Sequence, residues 1–364
     1  MSIKILQLYY LLLPLFLGGA GIFETCQSPL KLSVEQNRLE KMKGVCWESI
    51  RDSVRANDIQ SLSNHGVEWI SPTPFGWQTG VDKPTLSFSN NEERNRRRDA
   101  SLARLAVKAR EKGIKTLLKP HIWIRQANGK WRSDIKMKSP EEWNQWFEQY
   151  EAFILHYAQL AATHNFEGLC IGTELYIAST QHEQRWRNII AKIRTIYAGQ
   201  LTYAANFYKE YEEIAFWDAL DYIGIQGYFP LTKKENPTVE ELKKGWEPHF
   251  QKIKQVQARW NMPIVFTEIG YKSSKDAAIH PWEWEKRGDI DPEEISHETQ
   301  AACYQAVFDM FWKEAWISGF FIWKWTPEIY RTQGPSSNRR RRPSPLSFTP
   351  KKPALEIIKE WYVE

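Results

Sequence analysis

Gly168-Leu169-Cys170-Ile171-Gly172-Thr173-Glu174 is an uncharged run that ends abruptly in an acid. Such a run suits a parallel strand covered on both faces, and a carboxylate fixed at its end must be partnered or used. Pro263-Ile264-Val265-Phe266-Thr267-Glu268 repeats the arrangement. Comparable β-rich runs recur along the chain, giving strand candidates at Lys43–Glu48, Val67–Pro72, Lys115–His121, Glu167–Thr173, Leu201–Asn206, Tyr222–Gly227, Pro263–Glu268 and Phe320–Trp325. Between them lie Asn91–Lys112, Pro140–His164, Glu183–Tyr197, Val239–Trp260, Ile295–Trp316 and Pro353–Tyr362, where apolar residues recur at three and four as on an amphipathic helix. Eight alternating units of this kind predict an α/β fold, a (β/α)8 barrel, which typically takes about 250 residues. The excess falls into long loops after strands two, three, seven and eight: Thr73–Asn90, Ile122–Ser139, Tyr271–Glu294 and Thr326–Pro350. Loops after strands form the catalytic face of such barrels. Strands four and seven lie almost opposite one another in an eight-stranded ring, so Glu174 and Glu268 are expected to face each other across a pocket.

Composition narrows the function. The chain has 364 residues, 42% hydrophobic and 26% charged, enough to bury a sizeable core. A net charge of +5, spread evenly, argues against a nucleic-acid partner. Eighteen Trp, 15 Tyr and 17 Phe exceed what packing alone needs, and Trp77, Trp123, Trp131, Trp282 and Trp284 sit in the long loops. As a set they predict a cleft that stacks on flat, uncharged surfaces; any single one is better explained by packing under its own loop. The four Cys are scattered without close pairs, and three lie in apolar runs as small buried hydrophobes. Residues 1–25 read as a signal peptide or lipoprotein signal, with Cys26 as the lipidation candidate, residues 26–42 as a linker and 43–364 as the catalytic barrel. The protein is thus expected to be an exported monomer, secreted or attached to a membrane through its N-terminus, at the cell surface or in the periplasm. The Arg339–Arg342 tract between Ser and Pro residues reads as a solvated loop.

Two facing carboxylates are what glycoside hydrolysis requires: one acid protonates the leaving oxygen while one carboxylate attacks the anomeric carbon, or activates a water when the two stand farther apart. The barrel with Glu174 after strand four and Glu268 after strand seven resembles the large clan of retaining glycosidases, whose strand-four Glu is acid/base and whose strand-seven Glu is nucleophile. Ile171-Gly172-Thr173-Glu174-Leu175, Phe266-Thr267-Glu268-Ile269-Gly270-Tyr271, Lys119-Pro120-His121-Ile122-Trp123 and the late Thr349-Pro350-Lys351-Lys352-Pro353-Ala354 look like glycoside hydrolase family 113. The resemblance runs from about Lys43 to Tyr362 and implies endo-β-1,4-mannanase activity on a polysaccharide or oligosaccharide, with no cofactor and no metal. Thr173 stands where most clan members have an Asn that touches the sugar 2-hydroxyl, so that contact is expected from Asn206 or His121. The resemblance also implies that Tyr228 donates to Glu268 and aims it, and that Trp323 or Trp325 floors the reacting sugar. His121 is either a sugar contact or a satisfied strand-end histidine. Alternatives are a hydrolase of another β-glycan, an exo-β-mannosidase, a non-catalytic glycan-binding barrel, and a metal site of His121, Glu174 and Glu268.

Overall fold

The computed structural model describes residues 40–47, 56–88, 92–285, 290–325, 344–351 and 353–364. The expected export segment with Cys26, most of the linker and the Arg339–Arg342 tract lie outside the described residues. Eight parallel strands, β1 (Met42–Trp47), β2 (Trp69–Pro72), β3 (Lys115–Leu118), β4 (Gly168–Thr173), β5 (Gln200–Ala205), β6 (Tyr222–Gln226), β7 (Ile264–Ile269) and β8 (Ile317–Trp325), close into a barrel in the order β1-β8-β7-β6-β5-β4-β3-β2. Alternation along each strand divides the side chains between two cores. Met42, Cys46, Trp69, Leu117, Cys170, Ala204, Val265 and Phe321 fill the barrel interior. The opposite faces pack beneath the helices. Gly44 on β1 makes room for this filling, since a Cβ there would lie 2.5 Å from the Phe321 ring.

The helices are set by their caps. In Pro140–His164 the Ser139 hydroxyl accepts from the Glu142 amide, Pro140 occupies the first turn, and Asn165 stops the helix in the left-handed region at φ 54°. Thr238 and Glu241 form a reciprocal capping box for Val239–Trp260. Many of the surplus rings belong to the layer these helices cover, where Trp146, Trp186, Trp217 and Trp246 are fully buried. Cys46, Cys170 and Cys303 are free and buried. Among the described residues no helix is long and apolar enough to cross a membrane.

Two elements depart from the sequence reading. The third strand ends at Leu118, not His121, because Pro120 has no N–H to continue the ladder. His121–Ile124 pairs instead with Phe75–Gln78, which also pairs with Leu86–Ser87, so segments expected to be loop form a small three-stranded sheet over the barrel mouth. Between β5 and β6, where the sequence marks no helical stretch, only the single turns Glu210–Glu213 and Trp217–Ala219 form. On β8 the register against β1 slips: Val45 pairs with Ile322, but Trp47 pairs with Trp325.

Candidate active site

Glu174 and Glu268 stand at the mouth of the barrel, 6% and 4% exposed. Glu174 is the residue after β4; its amide donates to the Ala204 carbonyl of β5 at 2.9 Å and its backbone is left-handed, at φ 52°. A side chain rarely adopts that conformation, which here turns the carboxylate out of the strand's own alternation. Oε2 accepts from Trp131 Nε1 at 2.8 Å and Arg132 Nε at 3.1 Å, while Oε1 receives one long contact, Asn206 Nδ2 at 3.3 Å. Glu268 lies within β7. Its Oε1 accepts from Lys119 Nζ at 2.6 Å and its Oε2 from the Tyr228 hydroxyl at 2.7 Å.

Burial pushes the Glu174 carboxyl above the usual carboxylate range; Arg132 opposes this and the Glu268 charge adds to it. Burial pulls the Lys119 amine down, but Cys46 and Glu268 beside it leave it raised, so it is an ammonium. Tyr228 is pushed well above the ordinary phenol range by burial and by Glu268, so it remains a neutral donor. His121 bridges the two halves. Its Nδ1 lies 3.1 Å from Arg132 Nη1, a donor, and its Nε2 lies 3.7 Å from Glu268 Oε1. Burial, Arg132 and Lys119 together hold it well below the usual imidazole range, so it is neutral with its proton on Nε2. Glu174, Arg132, His121 and Glu268 thus form one polar line across the mouth. Among the described residues no group of three His, Cys, Asp or Glu is placed to hold a metal ion.

Rings extend from this line. Trp323 lies 5.8 Å from Lys119 Nζ, which places it against the Glu268 side. Trp284 meets Trp323 and Trp123 edge to face, each at 6.3 Å. Trp123 contacts Trp131 and Phe75 at 6.0 Å, and Phe75 leads on to Trp77, which is 36% exposed. Trp282 is separate: it stacks on Phe207, the residue after Asn206, at 5.4 Å. Trp325 is not in the cleft. The slip in β8 register places it on the outer face, buried against His65, although strict alternation would set it on the same side as Trp323.

Three buried residues of this site, Lys119, Arg132 and Glu210, escape the sequence reading. Lys119 carried the same signal as the two acids, a charge closing an apolar strand run. Trp131 was legible only as one ring of a set, and Arg132 lies in a loop with no local mark. Glu210 sits among Glu212 and Glu213 and reads as solvated, yet it is fully buried.

A model of glycoside hydrolase family 113 matches residues 47–341. Among solved structures, a complex of a family 113 β-1,4-mannanase is 27% identical, with a TM-score of 0.71 over 89% of this chain and 99% of that one. The family 113 β-mannanase of Alicyclobacillus acidocaldarius is 25% identical, with a TM-score of 0.72 over 89% and 98%. The β-glucuronidase of Ruminococcus gnavus, 13% identical with a TM-score of 0.56 over 88% of this chain and 49% of that one, shares the fold alone. No curated protein matches the chain in sequence.

Proposed function

The chain belongs to glycoside hydrolase family 113 and is a glycoside hydrolase, and from that premise we propose that it is a retaining endo-β-1,4-mannanase working by double displacement. The observation that carries the mechanism is the unequal treatment of the two carboxylates. Glu174 is buried with its carboxyl raised, as a proton donor needs, while Glu268 is paired with an ammonium and a phenol, as a nucleophile needs. Oε2 of Glu174 already holds two donors, so Oε1, which receives only the long Asn206 contact, is the oxygen left to carry the proton.

In the first step Glu268 attacks the anomeric carbon, the bond to the leaving sugar breaks, and Glu174 gives its proton to the departing oxygen. A glycosyl ester forms on Glu268. In the second step Glu174, now a carboxylate, takes a proton from water, the water oxygen attacks the anomeric carbon, and Glu268 is released. Trp323 offers a ring face beside the reacting centre, and neutral His121 has its Nε2 proton for a sugar hydroxyl. The mannan assignment is supported by the two family 113 mannanases, matched over nearly their whole length.

The experiment is incubation with β-1,4-mannan and with a panel of other β-glycans, followed by chromatography of early products. A ladder of mannooligosaccharides is expected. Mannose as the sole early product would replace endo by exo action, and release from another glycan but not from mannan would change the substrate.

A further inference from the structure

Glu210 is a fully buried carboxylate that the two-step reaction does not use. Its Oε2 accepts from the Asn206 amide at 2.7 Å, and its Oε1 accepts from the Ser179 and Tyr203 hydroxyls, each at 2.6 Å. Every one of these contacts leads to Glu174. Asn206 donates through its side chain to Glu174 Oε1. The Tyr203 hydroxyl accepts the amide of Leu175, the residue after Glu174, at 2.8 Å. Ser179 lies on Tyr176–Gln181, the short helix that follows Glu174 directly. Glu174 itself holds a left-handed backbone conformation that its neighbours must impose.

We propose that Glu210 is a positioning residue for the proton donor, tying the ends of β4 and β5 together so that Glu174 Oε1 is held at the leaving oxygen. The proposal rests on Glu174 being the acid. The donors around Glu210 are two hydroxyls and one amide, with no cation among them, and burial pushes its carboxyl up to about 7. The other titratable groups facing it are Tyr203, Tyr150 and Tyr176, all raised phenols, and Glu174. The Glu174 charge adds to the rise of the Glu210 carboxyl.

The test compares kcat/KM on mannan with kcat/KM on a dinitrophenyl β-mannoside, whose leaving group needs no proton. Glu210→Gln is expected to lose about 10- to 100-fold on mannan and less than about three-fold on the aryl substrate. Equal losses on the two substrates would mean a merely structural carboxylate and overturn the proposal. Tyr203→Phe, which cuts only the relay to Leu175, is read by the same ratio and decides the matter if Glu210→Gln does not fold. Glu174→Ala, run alongside, separates the two readings: loss of both substrates alike sinks the assignment of Glu174 as acid. Selective loss in Glu174→Ala but not in Glu210→Gln sinks only the positioning role.

Discussion

Glu174 and Glu268 are the same residue type at nearly the same depth, and their roles are divided by what each touches. Glu174→Ala is expected to lose at least about a thousandfold on mannan yet keep the glycosylation of a dinitrophenyl glycoside and regain turnover with azide. Glu268→Ala should lose both substrates; if it were the variant restored with retained configuration by azide, the roles would be reversed. Because burial raises the Glu174 carboxyl, its acid form persists above the usual carboxylate range. Activity on mannan should therefore extend to higher pH than an ordinary Glu allows and fall only as that proton is lost, which a pH profile of kcat/KM measures. Lys119 is the other decisive residue. Replacing it by Met leaves Glu268 buried without its cation, a change that costs about 3–5 kcal/mol. Unfolding in urea should show that loss, and adding Glu268→Gln should recover much of it; a Lys119→Met protein within about 1 kcal/mol of the parent would mean the pair is not coupled.

At the scale of elements, the departures sit where one residue changes what a strand can do. Pro120 ends β3 and frees His121–Ile124 to build the small sheet that carries His121 and Trp123 to the mouth. The slip in β8 separates two tryptophans that sequence alternation put side by side. Trp323→Ala should lower kcat with little change in unfolding free energy. Trp325→Ala should instead cost about 3–5 kcal/mol of stability, through the cavity left against His65, while the folded fraction keeps most of its turnover. A matching loss of kcat from both variants would show that Trp325 reaches the substrate after all. Trp282, stacked on Phe207 away from the Trp284 string, belongs to a different stretch of surface. Its loss is expected to raise KM for long chains and leave short substrates unchanged.

For the whole molecule the decisive observable is stereochemistry, because it depends on how far apart β4 and β7 hold their acids. Direct attack by Glu268 predicts that the first product seen by proton NMR is the β-anomer, and that a 2-fluoro sugar with a good leaving group labels Glu268. An initial α-anomer would put a water between the carboxylates and make Glu268 a base. The sequence alone determined the barrel and the two strand-end acids, since each depends on local pattern: apolar runs of strand length, helical periodicity between them, and a charge that an apolar strand cannot tolerate unpaired; the family was legible through the resemblance of its motifs. Lys119 obeyed that same rule and was legible in principle. Glu210 was not: three acids in four residues look solvated, and only the fold brings Ser179, Tyr203 and Asn206 around one of them. Arg132 and Trp131 reach Glu174 from a loop 42 and 43 residues away in sequence, a distance no local periodicity spans. Nor could alternation foresee that β8 would slip by one residue, because register is fixed by the neighbouring strand, here β1, and not by the strand itself. Local propensity chooses the elements, whereas partners brought together by closure of the barrel decide which buried carboxyl is pushed up, which is paired with an ammonium and which tryptophan stands at the mouth.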